Sequence, residues 1–292
     1  HLSSSIQTYF WVAFFIPFVT KMLMLPFHNW MLDKHVIGPI GTTVMLSCSV
    51  ANLGGYGFLR LSFSLLPEAT VFFAPFMMFL GVVFAIYGTA IVISFKSFKG
   101  LVLCLVFTQT GLILLGMFSL NEQGIQGAII KILSHSAVTA GLVICLNILF
   151  ERFKPGQEFQ IRKLLNNTPR YFVINILLLL AVIGVPGTSG FIGNFLIVLG
   201  AFEHSLIVSV FVFIILILLI IDVLYIYQHI IFGNVVAFNK TSSEDLSRHE
   251  LVVLLPITCL VFWIGVYPIP FLEVISLSAE SITKSLILIS GD

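Results

Sequence analysis

Lys21, Lys131 and Asp222 are ionisable residues set inside long apolar runs, where each could hold a proton away from bulk water. From a helix start near Ile6, Lys21 lies ~23 Å into its run. Lys131 has no other charged residue between Glu122 and Glu151, and Asp222 is the only acidic residue deep in any apolar run. A charge at the centre of a bilayer costs ~2.5–3.5 kcal/mol on insertion scales, so three in one chain point to a task. Lys131, His135 and Thr139 recur every four residues and would form one polar stripe on a helix; Asp222, Tyr225 and His229 form a comparable one. Gln109, between Thr108 and Thr110, adds a polar patch to a further run. A lysine that stores and releases a proton has to lose much of its preference for charge, which desolvation and a movable neighbouring cation supply and a nearby acid reverses. Such groups in series make a proton relay.

The elements that must position these groups are membrane helices. Of 292 residues, 59% are hydrophobic and only 9% charged, with a mean hydropathy of +1.11. A soluble domain carries roughly 25% charged residues, so the composition excludes soluble enzyme folds. A net charge of +1 and the absence of Lys/Arg clusters among aromatics exclude a nucleic-acid partner. Cys48, Cys104, Cys145 and Cys259 each stand alone in apolar runs without a C-x-x-C pair, so they read as buried thiols, and no disulfide framework, metal or iron–sulfur site is expected. Neither a catalytic triad nor a phosphate loop is visible; GVPGTSGFIG lacks the strand a dinucleotide fingerprint requires. The chain opens on His1 with no positive n-region or cleavage site, so no targeting signal is visible, which fits a processed start or a piece of something longer.

Eight apolar runs are long enough to span ~30 Å of hydrocarbon as helix. They cover about Ile6–Trp30, Pro39–Leu65, Ala69–Phe95, Leu101–Leu120, Gly124–Phe150, Tyr171–Phe202, Ser205–Phe232 and Glu250–Tyr267. A moderately apolar tail, Ile269 to Ser290, carries Glu273, Glu280 and Lys284 and reads as an interfacial or lateral helix. The fold class expected is therefore an all-α integral membrane protein of about eight transmembrane helices. The first and sixth runs are over-long and interrupted, by Pro26 and by Gly184, Pro186, Gly187 and Gly190. One such cluster is an ordinary packing kink; two broken helices, one in each half, point to an ion path at mid-membrane. Three regions follow: residues 1–202 with the broken helices at 6–30 and 171–202, the last two spans at 203–267, and the tail at 268–292. Ten of the fourteen basic residues fall in the odd-numbered loops and two, Arg60 and Lys284, on the opposite face, which places the odd loops on the cytoplasmic or matrix side.

Several stretches carry a family resemblance. KMLMLPFHNWMLDKHVIGP (Lys21 to Pro39), NLGGYGFLR (Asn52 to Arg60), GMFSLNEQGIQGAIIKILSHS (Gly116 to Ser136), FER (Phe150 to Arg152), VPGTSGFIGNFLIVLGAF (Val185 to Phe202), SRHELVVLLP and WIGVYPIPFL run in order along nearly the whole chain. Together they resemble the antiporter-like membrane subunits of respiratory NADH:ubiquinone oxidoreductase (complex I), in the chain 4 branch. The resemblance implies a proton-pumping subunit of the membrane arm, built on two inverted five-helix repeats, of which this chain matches the second half. It implies no cofactor in this chain, since NADH, flavin, iron–sulfur clusters and ubiquinone belong to other subunits. The partners implied are other membrane-arm subunits, membrane lipids and a separate polypeptide supplying the missing N-terminal helices, with a membrane-embedded glutamate close to Lys21. High phenylalanine, 29 residues, and low alanine fit an AT-rich mitochondrial genome better than a bacterial one, so the location expected is the mitochondrial inner membrane.

On the same resemblance Lys21 falls on the central lysine of the channel and His135 on its histidine, with His28 beside the path. Departures are as informative. Asn52 stands where the family has a lysine, Gln109 where it has a histidine and Asn194 where it has an acid, whereas Lys131 and Asp222 fall at uncharged positions. The relay expected from these assignments runs from Lys21 past Gln109 to Lys131 and His135 and then to Asp222, which would stand in for the acid lost at Asn194. Thr139, Tyr225 and His229 flank it, and Asp222 would lie ~12 Å deeper than Asn194 along the bundle. Two alternatives to a working pump remain: a structural subunit with a decayed channel, and a free-standing cation/proton antiporter.

Overall fold

The computed structural model describes residues 3–24, 26–27, 44, 48, 51–94, 98–152, 168–232 and 245–290, and all regular structure among them is helical. Ten helices follow in chain order: α1 (Ser4–Lys21), α2 (Ala51–Gly57), α3 (Pro67–Ser94), α4 (Phe98–Met117), α5 (Glu122–Arg152), α6 (Pro169–Ile183), α7 (Ser189–His204), α8 (Leu206–Phe232), α9 (Arg248–Val266) and α10 (Ile269–Ser290). A π-helical turn, Phe58–Ser62, and a last α turn, Phe63–Leu65, extend α2. Among the described residues, four segments are long and apolar enough to cross a membrane, Pro67–Ile91, Glu122–Ile148, Leu206–Tyr225 and Arg248–Val266, with shorter apolar helices at Leu105–Met117 and Pro169–Ile183.

Helix ends follow from local chemistry. At the start of α9 the Ser247 backbone N–H donates to Glu250 (2.6 Å) while the Glu250 N–H donates to Ser247 Oγ (3.3 Å), a capping box that satisfies two donors the helix itself cannot. Asn121 Oδ1 accepts from the Gly124 N–H (2.9 Å) and its amide donates to Gly200 O (2.6 Å), tying the start of α5 to α7. At the start of α6 the Arg170 and Tyr171 N–H groups donate to the Asp245 carboxylate.

The first break lies earlier than the sequence indicates. Rather than running to Pro26, α1 stops at Lys21, where Leu23 N–H donates to Thr20 O and Met24 N–H to Val19 O, a Schellman closure. Its left-handed position is taken by Leu23 at φ 60°, a place that favours glycine, so burial of the leucine side chain has to offset the backbone cost. His28 and Lys34 lie outside the described residues.

Helix α5 is the axis of the bundle, packing against α2, α4, α6, α7, α9 and α10. Trp11 of α1 stacks on Phe73 of α3 at 4.2 Å within one aromatic-rich core, and Leu178, Leu219 and Leu254 gather a second around α6, α8 and α9. Helix α10 buries Ile275, Ala279 and Leu286 along the end of the bundle where the α2 extension stops and α3 and α5 begin. Of the cysteines expected to be buried, Cys48 and Cys145 are; Cys259 is exposed, because it sits on the outer face of α9 beside Leu255 and Leu260.

Candidate functional site

The sixth apolar run is interrupted where its glycines predict. Helix α6 ends at Ile183, and Gly184 turns left-handed at φ 84°, its N–H donating to Leu180 O (3.1 Å). Helix α7 starts at Ser189, after a turn closed by the Thr188 hydroxyl on Val185 O (2.7 Å). The two half-helices then come into backbone contact: a Cβ at Gly190 would stand 1.9 Å from Ala181 O. Carbonyls at the end of a half-helix lack intrahelical partners, so they must bond elsewhere. Gln109 Nε2 of α4 donates to Val182 O and Asn194 Nδ2 of α7 to Ile183 O, each at 3.4 Å.

Helix α5 brings the ionisable groups to this break. Lys131, 2% exposed, donates from Nζ to Asn194 Oδ1 at 2.5 Å. One turn on, Ser134 bonds Ser189 at 2.8 Å, and Thr139 bonds His135 Nδ1 at 3.0 Å. His135 Nε2 and Gln109 Oε1 are buried and make no hydrogen bond among the described residues. On the opposite flank of α5, Asn52 Nδ2 donates to Ser136 Oγ (2.6 Å) and Cys48 O (2.7 Å). The site is thus a buried junction of helices carrying a lysine and an imidazole, with amides and hydroxyls as their partners among the described residues.

Of the residues singled out in the sequence, the structure gathers Lys131, Gln109 and Asn194 at the break, carries His135 one turn further along α5 with Thr139 bonded to it, and sets Asn52 against the residue after His135. Asp222 is 6% exposed on α8 between Leu219 and Val223, and no hydrogen bond joins it to Lys131 or His135; its Oδ2 has no partner among the described residues. Tyr225 is half-buried on the same helix, and the side chain of His229 lies outside the described residues. Lys21 is exposed at the end of α1. Sequence reading missed Ser134, Ser136 and Ser189, and it treated Lys131 and Asn194 as separate changes, although they are partners 63 positions apart. Ser134 was open to detection, three residues from Lys131 and so on its face of the helix.

Comparison with known proteins places this arrangement. A family model described as NADH:quinone oxidoreductase/Mrp antiporter, TM, matches residues 1–220. Among curated relatives, NADH-ubiquinone oxidoreductase chain 4 of Marchantia polymorpha is 36% identical and that of Chondrus crispus 33% identical, each over 278 residues, or 95% of this chain and 56% of the relative. The chain therefore spans a little over half the length of these relatives. Among solved structures, respiratory complex I from Thermus thermophilus with bound NADH contains a chain that superposes with a TM-score of 0.87 at 25% identity, covering 98% of this chain and 60% of that one. The Mrp complex from Dietzia sp. shares the fold, with a TM-score of 0.82 at 15% identity over 94% of this chain and 59% of its counterpart.

Proposed function

Because the chain belongs to the NADH:quinone oxidoreductase/Mrp antiporter transmembrane family, we propose that it is a proton-translocating membrane-arm subunit of NADH:ubiquinone oxidoreductase. On this reading NADH oxidation and quinone reduction take place on other subunits, which hold the flavin, iron–sulfur clusters and quinone. This chain contributes a half-channel of eight spans with its odd loops on the matrix side of the mitochondrial inner membrane. The relatives named chain 4 support that assignment. Further helices, supplied by another polypeptide, cover Lys21 and bring it a carboxylate.

One observation carries the reading. Lys131 is a fully enclosed lysine in the first third of α5, bonded to the second half of a broken helix and one turn from a buried imidazole, with no carboxylate bonded to it among the described residues. A purely structural lysine at that depth would need an acid to offset desolvation. A proton carrier does without one, because it alternates between charged and neutral forms. Protons pass between Lys21 and the Lys131–His135 stripe, with Gln109, Asn52 and Thr139 holding the groups and Asp222 serving the far end. Substituting Lys131→Met in the intact complex should leave assembly unchanged and reduce protons moved per NADH. An unchanged ratio would refute the assignment.

A second reading, a scaffold that no longer pumps, is favoured by one feature: Asn52, Gln109 and Asn194 are all non-titrating amides already donating to backbone carbonyls. In that case neither Lys131→Met nor Lys21→Ala alters proton transport, and both affect assembly alone.

A further inference from the structure

Asn194 is the only side chain to which the Lys131 ammonium bonds among the described residues, and its orientation is imposed from behind. A primary amide has one accepting and one donating end, which are not interchangeable. Asn194 Nδ2 donates to Ile183 O at the end of α6 and lies against the backbone of Gly184, where a Cβ would come within 2.6 Å of it. The opposite orientation would turn the NH2 group onto an ammonium and leave the Ile183 carbonyl unmet. Only the observed one serves both neighbours, so Oδ1 is held toward Lys131. Asn194 is itself 7% exposed, so water competes little for either end.

The chemistry of that contact is specific. A carboxylate in the same place would form a buried ion pair with Lys131, favouring the protonated lysine and holding its proton. An amide oxygen accepts a hydrogen bond from an ammonium and from a neutral amine alike and, carrying no net charge, favours the charged form far less than a carboxylate does, so it positions the nitrogen while leaving its proton free to exchange. We propose that Asn194 is a positioning residue that keeps the proton on Lys131 exchangeable, and that the break requires one titratable group faced by one amide. The proposal rests on the reading of Lys131 as a proton carrier and adds the partner's role to it.

Three variants of the intact membrane-embedded complex test this, with protons moved per NADH and the NADH oxidation rate read together. Asn194→Asp keeps the shape and adds a carboxylate; it should lower proton transport at least tenfold. Combining Asn194→Asp with Lys131→Gln again leaves one titratable group facing one amide, and transport should recover to a third of wild type or more. Wild-type transport in Asn194→Asp overturns the proposal, as does failure of the double variant to recover. Should Asn194→Asp disturb assembly, Asn194→Leu serves instead: it removes the acceptor, and undiminished transport overturns the proposal. Normal transport in Lys131→Met refutes the parent reading of Lys131 as carrier, a result separate from any obtained at Asn194.

Discussion

Met22 and Ile132 converge on one glycine of α2: a Cβ at Gly55 would stand 3.1 Å from Ile132 Cδ1 and 3.7 Å from Met22 Cε. Met22 directly follows Lys21 and Ile132 directly follows Lys131, so α2 is the spacer between the end of α1 and the polar stripe of α5. The nearest obstacle is the tip of a flexible side chain, and Gly55→Ala should be tolerated. Gly55→Leu has no room and should cost ~1–3 kcal/mol by overpacking. Proton transport per NADH and the melting temperature of the complex would separate the two variants; equal behaviour would show that this contact does not set the spacing.

Lys21 is exposed at the end of α1, on the side of that helix that also exposes Phe10 (49%) and Pro17. An apolar face is at ease in lipid, but a lysine inside hydrocarbon is not. A structure of the intact complex should show helices of another polypeptide covering this face, with a carboxylate against Lys21. A first helix facing lipid, with no acid nearby, would rule out the half-channel arrangement.

Lys21→Ala should lower protons moved per NADH, and with them turnover, while leaving the complex assembled. Normal pumping stoichiometry in isolated membranes would remove Lys21 from the relay.

Gly190→Ala tests the break itself. The added carbon would lie 1.9 Å from Ala181 O, a backbone atom that cannot move aside without separating the half-helices. Reduced assembly on native gels is expected, with a loss of stability of at least ~1–3 kcal/mol. A normally assembled complex with unchanged melting would mean that the two half-helices tolerate separation.

Asp222 is buried with a carboxylate oxygen lacking a partner among the described residues, an expensive arrangement for a residue with no task. The proposed relay uses it as the far-end acid, so Asp222→Asn should reduce proton transport several-fold with NADH oxidation sites intact. Unaltered transport accompanied by weaker assembly would instead make it a contact to a neighbouring subunit.

Much of this architecture is legible in one dimension, for physical reasons. Runs of twenty apolar residues have few alternatives to the helix, since hydrocarbon leaves backbone groups no other partner. Hence the helices expected from Ala69, Gly124, Ser205 and Glu250 begin within two residues of where they are found, at Pro67, Glu122, Leu206 and Arg248. Gly184 and Gly190 likewise marked the break in the sixth run, because a left-handed turn followed by backbone contact excludes almost every other residue. The polar stripe Lys131–His135–Thr139 could be read from helical spacing alone.

What the sequence by itself determined, then, was which of the described segments are helices, where the second break falls and which ionisable residues stand in apolar runs. Side-chain partners across helices were decided by tertiary structure, because they depend on crossing angle and depth, which no spacing encodes. Pro26 pointed to a break that α1 in fact makes at Lys21, by a Schellman closure whose left-handed leucine is held by burial in the surrounding core. Above all, a lysine on α5 and an asparagine on α7 are unrelated along the chain; only the fold sets Asn194 between the open end of α6 and Lys131, so that one amide meets both.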